Sequence, residues 1–486
     1  FPFFRAFGWL GLFVVPIAGG AFAVFLAGKI AEDLRPGTGW IAAALTAFTT
    51  PVLFYATLFW EHTPAMALLM LSTFFGVRFM RGQRMRDAFY AGAPVGLAAA
   101  GLRTDANLFF ASLFGALFLA TPGKKRWLTP IVATAGFAVG ASPASAINWV
   151  TNGKILAANT AKNTPRPSLA YLKDIKLGIV SHFLVGHDVP LAIPVMLLGG
   201  VAVMVVVAVV LRKSAVSTAV SLVGLALLMC GGLLAVHDVS VHDAAEVHGW
   251  LATAPLLGLA AIAVKAPVAD SEKTALRFAL YLTALMCLAN MTALALAFPN
   301  AWAAPNGNRE WGPRYWLTVY PLLSVLVAVG YDVLTTGRPR FERAQIGVAY
   351  GAVALCGVLF IGAGFTREWR DDADIVTMKQ FLARQDDTPL MTDCFFVSAL
   401  VPDKFFERPS FYISIYDLER YRAWLRDAAR GGLDRLDLGT YLVPELHPFL
   451  MTTVDDLHFE VLGVDRTPGT TLMMVHLRLH RGTPPR

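Results

Sequence analysis

From its start to about residue 365 the chain is written in long apolar stretches, interrupted at short intervals by proline, glycine and charge. Stretches approaching the roughly 20 residues that a helix needs to cross a hydrocarbon core predict membrane-spanning helices. The pattern places them near 8–28, 40–57, 63–79, 88–102, 106–121, 128–148, 190–211, 216–236, 248–265, 275–297, 315–331 and 346–365, about a dozen in this chain. Several are short for a perpendicular crossing, and one or two read as half-helices. Beyond 365 the pattern changes character. Residues 389–397, 440–443, 458–462 and 471–479 read as strands, and Asp417–Gly432 as an amphipathic helix with Leu418, Tyr421, Leu425, Ala428 and Ala429 on one stripe. The expected fold is an α-helical polytopic membrane domain at 1–365 followed by a small soluble α/β domain at 366–486.

Composition supports the class. The chain is 56% hydrophobic and only 15% charged, against about a quarter charged in soluble domains. Its formal net charge of +7 does not describe a nucleic-acid surface, because the lysines and arginines fall in short clusters between apolar runs. Such clusters record orientation. Arg78, Arg81, Arg84 and Arg86; Lys124, Lys125 and Arg126; Arg212 and Lys213; Lys265, Lys273 and Arg277; and Arg338, Arg340 and Arg343 occupy alternate loops, which predicts a cytoplasmic side for all of them. The opposite side then receives Glu61-His62, Arg103-Thr104-Asp105, the long segment 149–189, residues 237–249, residues 298–314 and the whole tail. Residue 1 falls on that side too, so an odd number of helices, most simply one, is expected upstream. Of the four cysteines, Cys230, Cys287 and Cys356 lie in apolar runs and Cys394 in the tail, with no zinc or disulfide spacing.

Three stretches carry a resemblance. Asn306-Gly-Asn-Arg-Glu-Trp-Gly-Pro-Arg314-Tyr-Trp-Leu-Thr-Val-Tyr-Pro321-Leu-Leu is similar to the G-P-R-Y segment of bacterial GT-C membrane glycosyltransferases. Pro51-Val-Leu-Phe-Tyr55-Ala-Thr-Leu-Phe-Trp-Glu61-His62-Thr-Pro-Ala65 resembles their Y-S-x-T-L-F-S-H-T segment, and Leu102-Arg103-Thr-Asp105 sits where an arginine is frequent. Thr318 and Glu61 depart from the pattern, which has proline and serine there. The resemblance implies an inverting transfer of sugar from a polyprenyl-phosphate donor to a lipid, glycan or protein acceptor. It implies a bacterial inner membrane, with the chemistry and the tail on the extracytoplasmic face. In this family the catalytic carboxylate lies in the first outer loop; the topology puts that loop upstream of Phe1, so the base is expected outside this sequence.

That chemistry needs a carboxylate to take the acceptor's proton and cations to hold the phosphate as negative charge gathers on it. Arginine suits the second task because its fork meets phosphate oxygens with parallel donors. The candidates for donor phosphate are Arg314, Arg309 and Arg103; Glu61, His62 and Tyr315 are the candidate lining residues. Each has a plainer account. Arg309 and Arg314 also suit interfacial anchors beside Trp311, Tyr315 and Trp316, Glu61 and His62 a solvated turn, and Arg103 and Asp105 a local ion pair.

His237, Asp238, His242, Asp243, Glu246 and His248 form the densest set of metal-ligating types, with His242 and Glu246 on one helix face. A solvated acidic loop accounts for them as well. The resemblance leaves a divalent metal open, since some members use one. Two other functions remain in view at this stage: a transporter or flippase of lipid-linked saccharide, and a non-catalytic membrane subunit of a larger complex. A transporter should show repeated halves and ionisable groups near mid-membrane, and the sequence shows neither.

Overall fold

The structure, a computed structural model, describes residues 6–57, 61–103, 105–152, 189–209, 214–242, 249–267, 270–297, 317–383, 388–392, 410–412, 418–440, 457–467 and 472–481. One compact unit spans Phe13–Phe365, and the tail sheet belongs to a second.

The membrane unit is helical throughout its described residues. Its elements are α1 (Val14–Leu34), α2 (Gly39–Phe48), α3 (Val52–Ala56), α4 (His62–Gly82), α5 (Met85–Gly101), α6 (Ala106–Ala120) and α7 (Lys125–Asn152). There follow α8 (Ala192–Val209), α9 (Ala215–His242), α10 (Trp250–Thr253), a 3-10 run over Pro255–Lys265, α11 (Asp270–Ala297), α12 (Val319–Thr335) and α13 (Arg340–Ala383). Six are long and apolar enough to cross a membrane: Leu10–Leu34, His62–Gly82, Lys125–Thr151, Ala215–Val241, Glu272–Thr292 and Arg340–Thr366. Gly39–Phe48, Ala106–Ala120, Ala192–Ala208, Pro255–Lys265 and Val319–Thr335 are apolar but shorter. The chain is thus a multi-pass membrane protein; of the expected dozen or so helices, several of them short, six are long enough to cross among the described residues.

Three departures have local causes. The stretch 40–57 breaks at Thr49-Thr50-Pro51, where the hydroxyls of Thr49 and Thr50 donate back to Leu45 O and Thr46 O and the proline opens a new helix. The stretch 248–265 divides at Ala254-Pro255 into a single turn and a 3-10 run. The last apolar stretch ends near 365, but α13 continues for 44 residues in all. The polar residues beyond Phe365 include no proline or glycine before Ala383, so the loss of hydrophobicity does not end the helix.

The closest helix contact joins α5 and α7. A Cβ on Gly92 would lie 1.8 Å from Ala133 O and one on Gly96 2.0 Å from Phe137 O; reciprocally, one on Gly136 would meet Phe89 O at 2.0 Å and one on Gly140 Ala93 O at 1.9 Å. Each helix therefore presents a small-x-x-x-small stripe to the other, which lets backbones meet where no lipid-excluding force draws helices together. Helix α12 lies at the centre, buried continuously from Val319 to Gly330.

Ion pairs gather the predicted cytoplasmic loops at one end of this unit. Arg35 Nε donates to Asp332 Oδ2 at 2.7 Å and its Nη1 to Pro267 O at 2.9 Å; Arg81 Nη1 meets Asp33 Oδ1 at 3.2 Å. Arg338, 6% exposed, donates to Leu334 O at 2.7 Å, Ser217 Oγ at 3.0 Å and Glu342 Oε2 at 3.3 Å, and contacts Thr218 Oγ1. The alternation of basic loops is thus matched by a physical clustering of their neighbours.

In the second unit five strands lie in the order β2-β1-β3-β5-β4, with β1 at Leu390–Thr392, β2 at Ser410–Tyr412, β3 at Arg435–Thr440, β4 at Leu457–Arg466 and β5 at Met473–Arg481. β1 runs parallel to β2 and β3, and β5 antiparallel to β3 and β4. Met391, Leu436, Leu438, Val475 and Leu477 pack with Leu425 of α14 (Leu418–Arg430) in one core. The strand expected at 440–443 is described from Arg435 to Thr440, where Leu436 and Leu438 pack into the core; residues 441–443 are outside the described ones. The sheet's polar side carries His476, whose Nδ1 is 2.7 Å from Asp437 Oδ1 and Nε2 3.4 Å from Asp465 Oδ2.

Candidate functional site

At the end of the membrane unit away from the basic loops, two chain turns meet. Glu61 precedes α4 and His62 is its first residue. Arg103 follows the end of α5, its backbone N–H still bonded to Ala98 O at 2.8 Å. Asp105 stands just before α6 and makes no side-chain capping bond to it. Asn148 of α7 donates to Ala100 O at 3.1 Å, which ties the turn after α5 to a third helix.

The arginine organises the cluster. Its Nε and Nη2 donate side-on to the two oxygens of Asp105, both at 2.9 Å. Its Nη1 lies 3.5 Å from Glu61 Oε1 and contacts His62 Nε2. A guanidinium only donates, so His62 Nε2 is the acceptor there and the ring proton belongs on Nδ1. That nitrogen faces Glu61 Oε1 at 3.9 Å. Tyr55 stacks on the imidazole with centroids 5.7 Å apart and planes 22° apart, fixing the ring from the other side. The side chain of Arg103 is 13% exposed and that of His62 6%, whereas Asp105 is 26% and Glu61 46% exposed. Charge is therefore held at a wet helix boundary rather than in apolar interior. Two carboxylates oppose one guanidinium, so Arg103 is more than neutralised as it stands.

The structure thus brings together Glu61, His62 and Arg103, candidates from separate stretches, and adds Asp105 and Tyr55 as their supports. It bears out the local ion pair between Arg103 and Asp105. Arg309, Arg314 and Tyr315 lie outside the described residues, as do Glu246 and most of segment 149–189. Their stretch re-emerges at Leu317, and Tyr320, three residues on, is buried with its hydroxyl 2.9 Å from Thr253 Oγ1. That bond ties the exit of the segment to α10. Of the candidate metal pair only the helix position of His242 is described. Among the described residues no group of three or more His, Cys, Asp or Glu is placed to hold a metal ion.

No family model matches the chain, and no curated protein does. Among solved structures it is similar to ArnT from Cupriavidus metallidurans bound to undecaprenyl phosphate, with a TM-score of 0.47 and 10% identity over 98% of this chain and 85% of that one. The same protein in the apo state gives a TM-score of 0.42 and 12% identity over the same shares. Likeness at this distance assigns no residue and no activity.

Proposed function

We propose that the protein is an inverting membrane glycosyltransferase of GT-C type, moving a sugar from a polyprenyl-phosphate donor to an acceptor on the extracytoplasmic face. The observation that supports it most is the meeting of Glu61-His62 with Arg103-Asp105 at one helix boundary. Two stretches that resemble the same enzymes in sequence, separated by two helices, become one cluster in space. In this reading Arg314, Arg309 and Arg103 hold the phosphate, and each contributes as negative charge leaves the sugar. Glu61, His62 and Tyr315 line the site, with Tyr55 stacked on His62. No described residue is assigned as the catalytic carboxylate, and a divalent metal has no ligand set among the described residues.

The transporter alternative gains no support from the membrane unit. The charged side chains of its described helices cluster toward helix ends, at Arg81, Arg338 and Glu342 for example, not at mid-span. The direct test is consumption of a polyprenyl-phosphate sugar by purified protein in detergent, where transport has no meaning.

A further inference from the structure

Asp105 and Glu61 both lie against Arg103, but they occupy different parts of its fork. Asp105 takes the Nε–Nη2 side with two 2.9 Å bonds, the strong bidentate geometry. Glu61 reaches only Nη1, through one oxygen at 3.5 Å, and its side chain is 46% exposed. The first carboxylate is a fixed brace. The second is a loosely held counter-ion on the part of the fork that points away from the brace.

We infer that Glu61 is a displaceable placeholder on Arg103, occupying the position that a polyprenyl-linked phosphate takes, while Asp105 holds the guanidinium in place for the exchange. This rests on the reading of Arg103 as a phosphate contact. The electrostatics favour such an exchange. Among the described side chains the cluster carries two carboxylates against one guanidinium with Glu61 in place, and a phosphate brought beside them is repelled. Once Glu61 swings toward water, Asp105 and Arg103 form a neutral pair whose Nη1 donors face outward. Asp105 and Glu61 are positioning residues here, acting on the ligand through Arg103.

The two carboxylates should respond in opposite directions, which a general loss of structure would not produce. The probes are a polyprenyl monophosphate, the corresponding polyprenol, and phosphatidylglycerol, each titrated into protein held in phosphatidylcholine nanodiscs. Glu61→Gln is expected to tighten polyprenyl monophosphate binding threefold or more, and Asp105→Asn to weaken it threefold or more, with polyprenol binding unchanged in both. Glu61→Ala, which removes the carboxylate and its reach together, should tighten it as Glu61→Gln does. Equal or weaker phosphate binding by both Glu61 variants overturns the placeholder. If Arg103→Gln nevertheless loses phosphate binding, Arg103 remains a phosphate contact; if Arg103→Gln binds as before, both readings fall. A tightening seen equally with phosphatidylglycerol overturns the assignment to a polyprenyl-linked phosphate, since the position would then hold any phospholipid headgroup.

Discussion

A Cβ added to Gly96 would stand 2.0 Å from the carbonyl oxygen of Phe137, on the neighbouring helix. No side chain can yield there, because the obstacle is backbone. Gly96→Ala should therefore push α5 and α7 apart and destabilise the membrane unit by about 1–3 kcal/mol, the usual cost of overpacking. Gly199→Ala is the control, since nothing lies within 4 Å of a Cβ at Gly199. Thermal unfolding of both variants in one detergent checks this: Gly96→Ala should melt several degrees lower and Gly199→Ala should not.

Arg338 is the most enclosed cation of the described residues, with bonds to Ser217, Leu334 and Glu342 that link α9, α12 and α13. Removing one member of a buried pair leaves the other without its counter-charge. Arg338→Met should cost about 3 kcal/mol. The double variant with Glu342→Gln should recover part of that loss, measured as the coupling in a double-mutant thermal series.

The tail sheet should be sensitive to pH through His476. Burial alone would lower its pKa, but hydrogen bonds and charge from Asp437 on β3 and Asp465 on β4 outweigh that and raise it above 6.5. A raised folded-state pKa stabilises the folded form fully below the unfolded value, and the gain is lost as pH rises through the folded value. On the same polar side Glu460 is lowered, chiefly by its hydrogen bond with His480, so its contribution is lost as pH falls. Amide exchange in β3 and β5 should accelerate in the intact protein as pH is raised past neutrality, after correction for intrinsic rates. His476→Gln should flatten that dependence.

Arg314→Ala should lower sugar transfer tenfold or more without loss of expression, equivalent to at least about 1.4 kcal/mol of transition-state stabilisation. Unchanged turnover would remove the phosphate role from Arg314 and leave it as an interfacial anchor.

Much of the membrane unit is legible in the sequence because apolar length and basic loops are one-dimensional signals. Each apolar stretch meets helix, and Arg35, Arg81 and Arg338 fall at the end their loops imply. Helix ends are less legible, since hydropathy reports where lipid stops and not where the helix does, as α13 shows beyond Phe365. The α5–α7 contact has a readable signal in the four-residue spacing of Gly92 and Gly96 and of Gly136 and Gly140. The site was legible as residues and not as a constellation. Topology places Glu61 and Arg103 on one side, but their contact across 42 positions depends on how α4, α5 and α6 pack. The stacking of Tyr55 on His62 had no signal beyond an aromatic within the same stretch.

The central claim is sugar transfer from a lipid phosphate, and its most direct measurement is release of polyprenyl phosphate from a polyprenyl-phosphate sugar by the purified protein in detergent. The protein, with an acceptor supplied, should release polyprenyl phosphate at a rate that falls tenfold or more in Arg314→Ala. Binding of the donor without any release, across lipid, glycan and protein acceptors, would contradict it.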